Sequence, residues 1–145
     1  MSDITIRQPD DAEYEVVKKY VDLFWLDKSD MRIGQFKILL LNGVIAAFAR
    51  LKNHRGGAEL CTFGVVKKFR GRRLGITLLN AILSGVERDV FLITIEPEYF
   101  KKAGFRIAIK YPPVIREKRD MCLLKFPVGK MYRVMVHRLK GTINR

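Results

Sequence analysis

Between residues 59 and 86 the chain changes character twice, and the order of those changes restricts the folds open to it. Leu60-Cys61-Thr62-Phe63-Gly64-Val65-Val66 is apolar and rich in β-formers, so it reads as a strand. Lys67-Lys68-Phe69-Arg70-Gly71-Arg72-Arg73-Leu74-Gly75-Ile76 follows as a basic segment with two glycines; Leu74, Leu78, Leu79, Ile82 and Val86 then recur at helical spacing. A strand that breaks into a glycine-containing turn and resumes as a helix leaves unpaired backbone N–H groups at the helix start. The helix dipole puts partial positive charge there, and Arg70, Arg72 and Arg73 add full charges. The spacing therefore predicts a phosphate-binding turn.

The rest of the chain supplies strands and helices around that turn. Ile4 and Ile6 alternate with Thr5 and Arg7, predicting a first strand. Pro9-Asp10-Asp11 marks a helix start; Tyr14, Val17, Val21 and Phe24 follow helical spacing, Glu15 and Lys19 form an i,i+4 pair, and the helix ends near Leu26. Residues 27–34 read as a loop or a short second helix. Residues 36–41 and 44–51 are two strands joined by Asn42-Gly43, the dipeptide that suits a type I′ turn. Residues 53–57 read as a second connection, which puts His54 in an exposed loop, and lead into a strand over 58–66. Downstream, residues 90–95 form a continuous apolar strand, buried on both faces. Pro97 starts a short helix that Gly104 ends, and residues 105–109 return as a strand. Pro112-Pro113 breaks the chain, residues 121–126 and 131–136 read as closing strands, and a basic tail follows His137.

A chain of 145 residues with 48% hydrophobic content fits one globular domain, residues 1–145, and argues against disorder. The net charge of +13 is unevenly placed. Residues 1–62 hold nine Lys+Arg and nine Asp+Glu, so the remaining 19 and six, and with them the whole excess, lie in residues 63–145. This exceeds what one anionic cofactor needs, and an anionic acceptor, nucleic acid or an acidic protein partner would each use the surplus. Cys61, Cys122, His54 and His137 show no metal-ligand spacing, so no metal site and no Cys/His nucleophile is expected. The first residues carry no signal pattern, and no apolar run approaches the roughly 20 residues of a membrane helix. A cytoplasmic protein without membrane contact is the expectation.

Two segments carry a family resemblance. Residues 65–75, with Arg70 at the first position and Gly75 at the last, resemble the acetyl-CoA pyrophosphate loop of the GNAT superfamily of N-acetyltransferases, written Arg/Gln-x-x-Gly-x-Gly/Ala. Arg73 stands where the middle glycine is usual, and Gly71 supplies a glycine just after the first basic residue. Glu98-Tyr99-Phe100-Lys101-Lys102-Ala103-Gly104-Phe105 is similar to the family's short helix and turn, Phe-Tyr-x-Lys-x-Gly-Phe. The resemblance implies a mixed α/β GNAT fold, with a central, mostly antiparallel mixed sheet flanked by helices. It also implies transfer of an acetyl group from acetyl-CoA, as co-substrate, to a primary amine by direct attack.

By the same resemblance, Phe63, Val65, Val66, Arg70, Gly71, Arg72, Arg73, Leu74, Gly75 and Ile76 would hold acetyl-CoA. Phe63-Gly64-Val65-Val66 would be the splayed strand whose N–H polarises the thioester carbonyl, with Gly64 suited to a distortion. Glu59, six residues before Val65, occupies the position of the general base of the histone-acetylating branch; as an alternative it pairs with a basic neighbour such as Arg50. Tyr99 is the candidate acid, one residue from the family position, which Phe100 takes, and Tyr111 is a distant substitute. Phe24, Trp25 and Met31 are candidates for lining the acceptor pocket. Residues 92–105 resemble the acetyltransferase domain of N-acetylglutamate synthases, which implies an acidic amino-acid acceptor held by arginines. The other function class left open is a nucleic-acid-associated GNAT-like protein, modifying a base or a ribosomal partner or binding without catalysis. The closing strands offer an edge for a homodimer.

Overall fold

The computed structural model describes residues 3–125 and 131–139. They form strands β1 (Ile4–Arg7), β2 (Phe36–Leu41), β3 (Val44–His54), β4 (Gly57–Val65), β5 (Val90–Thr94), β6 (Arg106–Ile107) and β7 (Arg133–His137). The helices are α1 (Asp11–Leu23), α2 (Leu74–Ser84), α3 (Pro97–Lys101) and α4 (Pro113–Lys125). The seven strands make one mixed sheet in the order β1-β2-β3-β4-β5-β7-β6, in which β4 and β5 run parallel. The chain packs as two compact units: residues up to Leu51 with 60–84, and residues 52–59 with those from Gly85 on. Strands β3 and β4 each contribute to both.

In the first unit, β1, β2 and β3 pair antiparallel. Asn42 and Gly43 both take positive φ, 50° and 81°, as a type I′ turn requires. Helix α1 starts later than Pro9 because Asp10 caps it: its side chain accepts from Glu13 N at 2.8 Å, while Glu13 Oε1 accepts from Asp10 N at 2.9 Å. Arg7 doubles the tie by donating to both Glu13 oxygens, at 2.6 and 2.8 Å. The helix ends at Leu23 rather than near Leu26, and Glu15 pairs with Lys18 one turn on instead of Lys19. Val17 and Val21 bury against Phe36, Ile38, Leu40 and Phe48, with Tyr14, Tyr20 and Phe24 packed around them. Residues 33–35 form a single 3-10 turn, so the loop reading of 27–34 holds for most of that segment.

In the second unit, β7 lies between β5 and β6, antiparallel to both. Phe91, Ala108, Ile115, Val134 and Val136 form its core. Three sequence expectations fail here, each for a local reason. The strand expected over 121–126 is the last part of α4 as far as Lys125, and Phe126 lies outside the described residues. Pro113 opens that helix at its first position, where the missing N–H costs nothing. Because β7 is flanked on both sides, it offers no dimer edge. Residues 53–57 are not a loop either, because β3 continues to His54 and only Arg55-Gly56 turns, with Gly56 at φ 94°. Of the basic tail expected after His137, Arg138 Nη1 and Leu139 N donate to Asp89 at 3.1 and 2.9 Å, and the rest lies outside the described residues. Among the described residues, no helix is long and apolar enough to cross a membrane.

Candidate active site

The basic turn expected from the sequence lies wholly in the first unit. Val66 N donates to Ala46 O at 2.8 Å; Ala46 is the residue that a bulge in β3 leaves without a partner on β2. Residues Lys67–Phe69 then make one 3-10 turn, closed by Phe69 N to Val66 O at 2.8 Å. Gly71 and Arg73 take left-handed conformations, φ 84° and 59°, and α2 begins at Leu74. Arg73 thus adopts the backbone that the usual glycine would adopt freely, which accounts for the departure from the family pattern at some cost in strain. No backbone carbonyl among the described residues accepts from the N–H groups of Gly71 through Ile76. Consecutive unpaired donors at the head of an 11-residue helix are what an anionic group needs.

The side chains divide the work. Leu74, Gly75 and Ile76 are buried and so offer only backbone, whereas Arg70, Arg72 and Arg73 are exposed. Arg70 bends back on its own strand, with Nε donating to Val65 O at 3.0 Å and the guanidinium 5.3 Å from the Phe24 ring centre. It therefore anchors the turn to β4, leaving Arg72 and Arg73 as the solvent-facing charges above the helix start.

Further back on β4, the distortion expected at Gly64 is at Thr62, which has φ 50°. Gly64 is small for a different reason: a Cβ there would lie 2.6 Å from Phe48 and 3.1 Å from Phe24. Phe63 and Val65 are half-buried. Phe24, offered as pocket lining, packs against the core and stacks on Tyr20 and Phe48, at centroid distances of 5.6 and 6.3 Å. Met31 also packs against that core, while Trp25 is 83% exposed.

Glu59 lies in the second unit, 2% exposed. His54 Nε2 is 2.7 Å from its Oε1, and Lys118 Nζ of α4 donates to Oε2. His54 is thus a strand-end residue facing a carboxylate, not the exposed loop histidine expected; its carbonyl accepts from Arg88 Nη2 at 2.6 Å. The alternative partner, Arg50, spends its donors within the first unit, on Thr62, Ser29, Gln35 and Asp27. Tyr99, on α3, sets its half-buried ring edge-on to Phe100 at 5.2 Å. Tyr111 OH accepts from Arg119 Nη1 at 3.0 Å. Cys61 and Cys122 are half-buried and not joined in a disulfide. Sequence reasoning missed the His54 and Lys118 partnership and the Arg50 network; apart from the placing of Arg50 inside an apolar strand, nothing local signals them.

Residues 4–105 match the model of the acetyltransferase (GNAT) family. Among solved structures, N-acetylglutamate synthase from Neisseria gonorrhoeae, complexed with coenzyme A and N-acetyl-glutamate, superposes with a TM-score of 0.74 at 20% identity. That match covers 94% of this chain and 35% of the other, so the chain spans about a third of that protein. Rv2747 from Mycobacterium tuberculosis, in complex with CoA and NLQ, gives 0.69 at 18% identity over 93% of this chain and 99% of its own. Arabidopsis thaliana Naa50, with the bisubstrate analogue CoA-Ac-MVNAL, gives 0.61 at 18% identity over 94% and 99%. No curated protein matches by sequence.

Proposed function

Since the chain belongs to the acetyltransferase (GNAT) family, we propose that it transfers an acetyl group from acetyl-CoA to a primary amine by direct attack in a ternary complex. The observation that carries this reading is the run of unpaired N–H groups from Gly71 to Ile76 beneath Arg72 and Arg73. Those donors and charges suit the pyrophosphate. Bound there, acetyl-CoA supplies the acetyl group as a thioester. Backbone N–H groups of Phe63 to Val65, the residues before Val66 turns its own N–H to Ala46, orient its pantetheine arm and polarise the carbonyl.

Glu59 and His54 handle the proton. Glu59 takes the proton of the attacking amine, directly or through water, and His54, 2.7 Å from its Oε1 and 17% exposed, orients the carboxylate from the solvent side. Lys118 keeps the carboxylate fixed. Tyr99 is the phenol that gives its proton to the departing thiolate. The basic excess beyond residue 62 favours a small anionic acceptor such as an acidic amino acid, and the Neisseria structure holds such a product.

Release of the CoA thiol, followed against a panel of amines that includes glutamate and aspartate, tests the reading. Intersecting double-reciprocal lines with an acidic amino acid are expected for a ternary complex. Parallel lines would mean an acyl-enzyme, and no release with any amine would defeat the proposal. Glu59→Gln is expected to lower kcat by about a hundredfold while acetyl-CoA affinity stays nearly unchanged; an unaltered kcat across pH would remove Glu59 from the mechanism.

A further inference from the structure

We infer that Arg50 is a positioning residue for the thioester-binding segment of β4, acting through a strained Thr62. This deepens the proposed function and rests on it for the identity of the ligand. Arg50 is a fully buried guanidinium, 0% exposed, within the otherwise apolar run 44–51 of β3. All its bonds go to two places. Nε donates to Thr62 Oγ1 at 2.9 Å, while Nη1 and Nη2 donate to Ser29 O at 2.7 Å, Gln35 Oε1 at 3.3 Å, Asp27 O at 3.2 Å and Asp27 Oδ2 at 3.5 Å. Thr62 Oγ1 in turn donates to Asp27 O at 2.7 Å. The guanidinium therefore joins the 27–35 loop to one residue of β4.

That residue is a β-branched side chain at φ 50°, a conformation such residues avoid unless their surroundings impose it. Its hydroxyl is held on both sides, once as acceptor and once as donor, so Arg50 and Asp27 together supply the restraint. One left-handed residue reorients the remainder of its strand, here Phe63-Gly64-Val65, whose N–H groups the proposed function assigns to the pantetheine and the thioester. Burying a lone guanidinium costs stability unless every donor is satisfied; a chain that needed only a packed core would use leucine here. Strain next to a ligand-binding segment, imposed by a buried charge, is the pattern of a preorganised site rather than of a packing accident.

The test separates conformation from bonding by comparing Thr62→Gly with Thr62→Val. Glycine adopts φ 50° without the hydroxyl, whereas valine keeps the shape of threonine but has neither the bonds nor a reason to stay left-handed. Two calorimetric probes are used: acetyl-CoA, and 3′-phosphoadenosine 5′-diphosphate, which carries the pyrophosphate and no pantetheine. Thr62→Val is expected to bind the nucleotide within about twofold of the parent and acetyl-CoA about tenfold more weakly, because valine leaves the left-handed conformation and turns the N–H groups of Phe63 to Val65 away from the pantetheine. Thr62→Gly is expected to keep both affinities within about threefold. Arg50→Lys, which cannot reach both Thr62 and the loop, is expected to behave as Thr62→Val. A merely structural role predicts the reverse order, since glycine deletes more buried side chain, and that order overturns the inference. Should Arg50→Lys not fold, the Thr62 pair decides. In the unliganded protein, the amide resonances of Gly64 and Val65 are expected to move in Thr62→Val and stay near the parent's in Thr62→Gly. Equal movement in both overturns the inference, whereas a parent that binds neither probe defeats the proposed function and leaves this backbone comparison to decide the role of Arg50.

Discussion

The turn at residues 66–76 and the cluster around Glu59 are both charged, and they are built in opposite ways. The turn comes from one continuous stretch, leaves its backbone donors from Gly71 to Ile76 unpaired and holds Arg72 and Arg73 in solvent. The cluster comes from β3, β4 and α4, is 2% exposed at its carboxylate, and pairs each oxygen with a nitrogen of another segment. An open set of donors contributes little to folding and is ready for a ligand. A closed set contributes to folding and leaves an uncompensated charge when any member is removed. Under the proposed function, recognition of the anionic co-substrate and handling of the amine's proton therefore fall to regions with different sensitivities to mutation.

The largest break in that contrast is on the closed side. Lys118→Met leaves Glu59 buried against His54 alone and is expected to cost about 3 kcal/mol in a urea melt. Adding Glu59→Gln to that variant removes the stranded charge and should recover most of the loss. If the double variant is no more stable than the single, the two do not form a pair. On the open side, Gly75→Glu should weaken acetyl-CoA at least a hundredfold, because a carboxylate at the first turn of α2 opposes the pyrophosphate. Retained affinity would mean the anion binds elsewhere. Arg72→Ala, at an exposed position, should leave the melt within about 1 kcal/mol and weaken acetyl-CoA severalfold.

Smaller effects sharpen the same distinction. The Arg7–Glu13 pair is an exposed counterpart of the closed cluster: hydrogen bonding from Arg7, then from the Asp10 N–H, holds the Glu13 carboxyl down from 4.5 to about 2. A lowered carboxyl stabilises the folded state at pH values above the unfolded value. The difference between the parent and Glu13→Gln should therefore be complete above pH 4.5, about 1 kcal/mol after solvent screening, and should fade as pH falls toward 2. A difference that grows in acid would contradict the assignment. Arg73→Gly relieves a left-handed arginine and should raise stability by up to about 1 kcal/mol, with acetyl-CoA affinity reduced only severalfold.

How far these regions could be read from the chain depends on their construction. The basic turn ahead of α2 was legible because Gly71, Gly75 and the arginines stand together, and the Asn42-Gly43 hairpin because its two turn residues are adjacent. Glu59 was legible as a carboxylate among apolar neighbours, yet Lys118 lies 59 residues away and no local pattern points from one to the other. His54 was misplaced because Gly56 and Gly57 suggest a loop wider than the two residues that turn. Residues 121–125 misled because Met121, Cys122, Leu123 and Leu124 form an apolar run of strand length; on α4 Met121, Leu123 and Leu124 are exposed at 49%, 48% and 83%, so the pattern was not that of a buried strand. The strain at Thr62 has no sequence signal, since threonine is an ordinary strand residue and its conformation is imposed by Arg50.

Calorimetric titration of the parent protein with acetyl-CoA at moderate salt, beside an unrelated polyanion, tests the central claim most directly. The account predicts micromolar, saturable, one-to-one binding that the polyanion does not reproduce and that Gly75→Glu abolishes. Equal binding of the polyanion, or an acetyl-CoA affinity that survives Gly75→Glu, would contradict the reading of residues 66–76 as the co-substrate site.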